Sequence, residues 1–187
     1  MKKQISYLLI ALAITFSWAT PQTLHANETA TVAGGCFWGM EEIIRQIPGV
    51  VSTRVGYTGG SVTNATYEIV STGTSGHAES VEVIFDPKKL SYKKFLSFFF
   101  RMHDPTTLNQ QGNDKGTQYR SVIFYHSNDQ KKIAEEAIFL LNKSKKLKNP
   151  VVTQIVPAGK FYVAEEYHQD YLQKNPKGYT CHYLRPE

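Results

Sequence analysis

Gly34-Gly35-Cys36-Phe37-Trp38-Gly39 joins an apolar lead-in, Thr31-Val32-Ala33, to a helical pattern that starts near Met40. A cysteine at such a junction caps a helix whose N-terminal dipole favours thiolate over thiol. The flanking glycines permit a tight turn and leave the sulfur uncrowded. Phe37 and Trp38 follow directly, and a reactive thiol gains from aromatic neighbours only when its substrate has an apolar part. The six residues therefore predict a nucleophile at the floor of an aromatic-walled cup. Two plainer readings compete with this one. Cys36 and Cys181 are the only 2 cysteines, and a structural bridge between them would contribute on the order of 4–5 kcal/mol on chain-entropy grounds. Alternatively Cys36 is an inert buried thiol, with Phe37 and Trp38 as core residues. Glycines on both sides tilt the balance to the nucleophile, because a structural cysteine has no need of them.

Outward from this point the periodicities are clear. Met40, Ile43, Ile44 and Ile47 fall at helical spacing, with Glu41 and Glu42 in the first turn, and Pro48-Gly49 ends the helix. Residues 50–56 read as a strand closed by Gly59-Gly60. Residues 61–76 are polar loop, with a short helix over 66–71. Residues 79–85 alternate, placing Val81, Val83 and Phe85 on one face. Ser91 caps a helix running through Met102. Residues 104–118 form a glycine-rich loop too long to be a mere connector. Then come a strand over 119–126, a helix over 129–146 stopped by Asn149-Pro150, and a strand over 151–156. A last short helix over 165–173 precedes the tail that holds Cys181. Strands and helices mix without strict alternation, so the fold class is α+β: a single two-layer domain, a mixed β-sheet with packed helices and long functional loops.

Bulk composition narrows the setting. Residues 1–26 have the form of a secretory signal peptide: Lys2 and Lys3, an apolar run from Tyr7 to Trp18, and a small residue, Ala26, suited to cleavage. That run is too short for a confident membrane span, with an uncleaved anchor as the alternative. The domain is then 27–187, exported to the periplasm or secreted. The chain has 21 Lys and Arg against 16 Asp and Glu; removing Lys2 and Lys3 leaves 19 against 16, or +3. The basic cluster from Lys143 to Lys148 suits a helix C-terminus and does not make a nucleic-acid patch. No His-x-x-His or Cys/His cluster has ligand spacing, so no metal is expected.

Cys181 sits in Gly178-Tyr179-Thr180-Cys181-His182, far from Cys36 in sequence. There is no Cys-x-x-Cys, which fits a nucleophile with a separate recycling thiol on a mobile tail. Glu79 stands at a loop-to-strand junction in a neutral neighbourhood. It is an ordinary strand glutamate, or, buried beside aromatics, an acid that keeps its proton near neutral pH.

Gly35-Cys36-Phe37-Trp38-Gly39 resembles the signature of the A-type peptide methionine sulfoxide reductases. Val55 to Gly60, Gly76-His77-Ala78-Glu79, Phe85-Asp86-Pro87, His103 to Thr106, Gln111 to Ser121 and Tyr167 to Leu172 are similar to further motifs, in family order. The resemblance implies thiol-dependent reduction of methionine S-sulfoxide, free or in proteins, as protein repair against oxidative damage. It implies Cys36 as nucleophile, Glu79 as general acid and Cys181 as resolving thiol. Phe37, Trp38, Tyr67, Asp114 and Tyr119 would form the substrate site, with the two tyrosines donating to the sulfoxide oxygen. No cofactor would be bound; electrons would come from thioredoxin or a thioredoxin-like carrier. Ala65 stands where the family usually has proline, which loosens the backbone before Tyr67. Two rivals remain: a Cys-His acyl-transfer hydrolase, and a secreted binding domain stapled by Cys36 and Cys181.

Overall fold

The computed structural model describes residues 26–186, so the expected signal peptide lies outside them apart from Ala26. Strand β1 (Glu28–Ala33) leads into helix α1 (Phe37–Arg45), then strand β2 (Val50–Thr58), helix α2 (Tyr67–Ser71), strand β3 (Ala78–Phe85) and helix α3 (Tyr92–Met102). A small ribbon follows, β4 (Gln110–Gln111) with β5 (Asp114–Lys115), and a 3₁₀ turn over Thr117–Tyr119. Strand β6 (Val122–Tyr125), helix α4 (Asn128–Ser144), strands β7 (Gln154–Pro157) and β8 (Tyr162–Val163), and helix α5 (Tyr171–Lys174) complete the order.

The main sheet has 6 strands in the order β7-β6-β1-β3-β2-β8. Every pairing is antiparallel except β6 with β7, so the sheet is mixed. Side chains alternate across it. Ala30 and Val32, Val55 and Tyr57, Val81, Val83 and Phe85, and Ile123 all enter one core, together with the apolar faces of α1, α3 and α4. The opposite face buries a smaller group, Ala33, Ala78, Val122 and Phe124. Helix α3 earns its place through Phe95, Leu96 and Phe99, all fully buried, and its first turn is capped by Ser91, whose hydroxyl accepts from the Lys94 N–H. This is the expected two-layer α+β domain.

Several boundaries differ from the sequence reading. Helix α1 begins at Phe37, immediately after Cys36, so no acid stands in its first turn; Glu41 and Glu42 lie one turn further on. Gly35, at φ 108°, turns the chain sharply enough to start the helix there. Tyr119 closes the 3₁₀ turn and is not in the strand, which is confined to Val122–Tyr125. Strand β7 starts at Gln154. Helix α4 stops at Lys145, whose left-handed backbone (φ 54°) ends it before Asn149-Pro150 is reached. Of residues 165–173 only the end is helical, because the side chains before it are bonded to other elements.

Gln169 shows how. Its Oε1 accepts from the Val55 N–H at 2.9 Å, and its Nε2 donates to the Val55 and Ala164 carbonyls at 3.0 and 2.9 Å. One amide side chain thus continues the ladder beside β8, which pairs with β2 only at Gly56 and Tyr57. Gln169→Ala leaves the Val55 amide unpaired and should destabilise the domain by about 1–3 kcal/mol. A denaturant midpoint indistinguishable from wild type would show that water replaces the clamp without loss.

Candidate active site

Cys36 is the N-cap of α1, with backbone φ −55° and ψ 122°, and its side chain does not cap the helix. It is only 7% exposed. Burial pushes the thiol up, and ionisation of Glu79 would add to the push; the Trp38 backbone N–H, which donates to the sulfur, opposes both. The helix dipole was expected to favour the thiolate. Desolvation outweighs it, because a helix end contributes on the order of 1 kcal/mol whereas full burial of an ion costs several. The resting group is a thiol.

Glu79 occupies the row of β3 that carries Val81, Val83 and Phe85, so the strand's alternation aims its carboxyl into the core. It is 3% exposed, and its Oε2 accepts from the Phe37 N–H at 3.1 Å. Burial raises it to about 8, the Phe37 amide opposing and the Asp114 charge adding. At neutral pH Glu79 therefore holds its proton, directly beside the residue that follows Cys36.

Burial raises the Tyr67 and Tyr119 phenols, and ionisation of Glu79 or Cys36 would raise them further. They remain hydrogen-bond donors throughout the neutral range. Two bonds do for Tyr67 what a proline at Ala65 would do. Thr66 caps α2 through the Ile69 N–H, and the Tyr67 N–H donates to Glu165 Oε1 at 2.9 Å.

The aromatic pair divides. Phe37 is 1% exposed and packs on Tyr57 and His168, at ring separations of 5.8 and 5.1 Å. It is a residue of the main core, and its backbone N–H donates to Glu79. Trp38 is half-buried; its Nε1–H donates to His168 Nδ1 at 3.0 Å and its ring stacks on Tyr171 at 3.8 Å. Tyr171 and Glu165 are site residues that residue-type reasoning misses. Their only sequence signal is the Tyr167-to-Leu172 motif, which contains Tyr171 and which Glu165 precedes by two residues.

Asp114 faces the tail. Its Oδ2 accepts from the Cys181 thiol at 3.2 Å and its Oδ1 from the Tyr179 hydroxyl at 3.1 Å. The Cys181 sulfur also accepts from the Cys36 backbone N–H, and burial and Asp114 push its thiol up to about 12. Both cysteines are free. The Cys181 sulfur lies against the backbone of Cys36. The glycines have a different use from the expected one. A Cβ on Gly35 would strike Gln111, and one on Gly39 would strike Thr180 and His182. They admit the tail to the helix start rather than open the sulfur to solvent.

The profile of the family described as peptide methionine sulfoxide reductase matches residues 28–187. The chain belongs to this family. It is 57% identical over 160 residues to the peptide methionine sulfoxide reductase MsrA of Mycolicibacterium paratuberculosis, covering 86% of this chain and 91% of the relative. Its fold is similar to that of Mxr1 from Saccharomyces cerevisiae in reduced form, with TM-score 0.81 and 40% identity over 88% of this chain and 98% of that one. Mxr1 in complex with Trx2 matches with TM-score 0.58 and 27% identity, over 88% and 97% of the two chains.

In this member of the peptide methionine sulfoxide reductase family the buried acid has a consequence for stability. Glu79 titrates near 4.5 when unfolded and near 8 when folded. Below the first value both states are protonated and no difference arises. Between the two, only the unfolded state ionises, so native stability declines with rising pH by about 1.4 kcal/mol per unit at most. Glu79→Gln removes the titration. The variant should be more stable than wild type at pH 8, by a few kcal/mol at most, with the advantage vanishing toward pH 4.5. Melting curves at three pH values test this; a difference independent of pH would mean Glu79 is ionised in the native protein.

Proposed function

We propose that this chain reduces methionine S-sulfoxide, free or in proteins, to methionine, as a repair enzyme. The observation that carries the reading is the buried Glu79 carboxyl, its pKa raised by burial, bonded to the Phe37 amide one residue past a buried Cys36. A sulfoxide needs a sulfur nucleophile and a proton for its oxygen, and both stand at the start of one helix. Cys36 attacks the sulfoxide sulfur as Glu79 gives its proton to the oxygen. The thiol's proton restores Glu79. The S=O bond is lost, methionine leaves, and Cys36 keeps the hydroxyl as a sulfenic acid, oxidised by the two electrons the substrate gained. Tyr67 and Tyr119 donate to the oxygen as charge gathers there. Trp38, braced by His168 and Tyr171, grips the apolar methyl end. Asp114 shapes the site.

Cys181 then attacks the sulfenic sulfur, water leaves, and a disulfide forms. A thioredoxin-like dithiol reduces it; for a chain with the leader of residues 1–26, that carrier would belong to the periplasm or the exterior. The catalytic domain spans 27–187, and no bound cofactor is required. The acyl-transfer rival needs an imidazole on Cys36. The nearby histidines instead direct ring nitrogens at Trp38, Phe99, Ser121 and Gly34.

Cys36→Ser should abolish turnover with the fold intact, and Glu79→Gln should slow methionine formation by about 10²–10⁴-fold. Normal rates in either variant would remove that residue from the mechanism. Cys181→Ser should release one equivalent of methionine and stall as a sulfenic acid, with multiple turnovers restored by dithiothreitol but only poorly by thioredoxin. If the pair were structural, this variant would instead unfold and yield nothing, a loss of several kcal/mol.

A further inference from the structure

His182 directly follows Cys181, is 8% exposed, and is held at both ring nitrogens. Its Nε2 lies 2.8 Å from the Gly34 carbonyl oxygen. A carbonyl only accepts, so Nε2 carries the hydrogen and the neutral ring presents a lone pair at Nδ1. That lone pair faces the Cys181 sulfur at 3.4 Å. Gly39 leaves the room that this placement needs, because a Cβ there would strike the His182 ring. The imidazole is thus fixed in one tautomer with its basic nitrogen on the recycling thiol.

We propose that His182 is the general base of the disulfide-forming step, taking the proton of Cys181 as that thiol attacks the Cys36 sulfenic acid; this rests on the reductase reading above. The Cys181 S–H and Cys36 S–O bonds break and the S–S bond forms. The hydroxide departs as water with a proton from Glu79, and the proton taken by His182 balances that loss through solvent. Sulfur is oxidised at Cys181 and reduced at Cys36, with no outside reagent.

Asp114 is the competing acceptor, since its Oδ2 is also within reach of the thiol. It cannot fill the role. Its negative charge opposes a thiolate beside it, and a carboxylate is a much weaker base than an imidazole. Its charge does favour the imidazolium that proton transfer creates, offsetting the burial that otherwise keeps His182 neutral. The other titratable groups around His182 are Cys181 and Cys36 at the sulfurs and His103 beyond Gly34, the last kept neutral by burial.

The test follows one turnover by rapid quench, reading methionine release and thiol loss separately. His182→Gln preserves a donor for Gly34 and His182→Asn an acceptor for Cys181, and neither supplies a base. In both, disulfide formation should fall by about 10²-fold or more relative to methionine release, with added imidazole restoring part of it. A disulfide rate within a few-fold of wild type in His182→Gln overturns the proposal and leaves the reductase reading standing. Failure of wild type to release methionine defeats the reductase reading itself. Wild type alone supplies a second reading that needs no variant. Burial lowers His182 from the ordinary imidazole range, so the wild-type disulfide step should rise with pH at more acid values and already be level through the window from about pH 6.5 to about pH 8. A rate still climbing tenfold per pH unit through that window would mean the thiol ionises unaided.

Discussion

The bond from the Phe37 amide to Glu79 Oε2 is the constraint on which this structure turns. It ties the first residue of α1 to the end of the central strand, β3. The amide is one of the orphan donors at a helix start, and the carboxyl is one that the strand's alternation aims into the core. Neither group can be left unpaired there without a penalty of about 1–3 kcal/mol or more. Because a single amide does not offset the burial of an anion, the carboxyl stays protonated. The thiol one residue earlier is therefore spared a neighbouring negative charge, although burial alone keeps it protonated too. Nucleophile and acid are matched because they share one element junction.

A second set of contacts fixes the walls. Arg45 on α1 pairs with Asp170 at 2.7 Å and with the buried Glu41 at 3.1 Å, while Glu41 Oε2 also accepts from the Asp170 N–H at 3.0 Å. This network and the Gln169 clamp pin residues 165–171 against α1 and β2. That segment brings His168 and Tyr171 to Trp38, and Glu165 to the Tyr67 amide and the Tyr57 hydroxyl. This segment is held at both ends, so Trp38 is oriented by partners more than 100 residues away in the chain.

What the sequence shows and what it hides follow the range of the interactions involved. Ser91 as a helix cap is a local hydrogen bond, and it is legible. Thr66 proves to be the cap of α2 rather than its first residue, but the short helix itself is legible. So is the alternation of β3, and parity alone puts Glu79 in the row of Val81 and Val83. The protonation of Cys36 is not legible, because it is a contest between a local dipole and a burial that only tertiary packing decides. Strand β8 has two residues and exists only as an edge on β2. The purpose of Gly35 and Gly39 is also hidden, since the groups that need the space are Gln111 and the distant tail. The expected travelling thiol is already docked, for reasons that lie in Asp114 and the Cys36 amide rather than in the tail's own residues.

The protonation of both sulfurs bears on what the site resists. Thiolates, not thiols, are oxidised readily, so an exposed low-pKa pair in an oxidising setting would be consumed by oxidants other than its substrate. Here burial keeps Cys36 and Cys181 as thiols, though the Cys181 sulfur lies against the Cys36 backbone. The activation that a helix dipole would supply to any electrophile is replaced by an acid that acts only on an oxygen placed beside it. On the proposed mechanism, a sulfoxide seated against Trp38 would present that oxygen to Glu79 and the tyrosines, and its sulfur to Cys36. Selectivity then arises from geometry: the thiol becomes reactive when an acceptor for the Glu79 proton is in position, and not before.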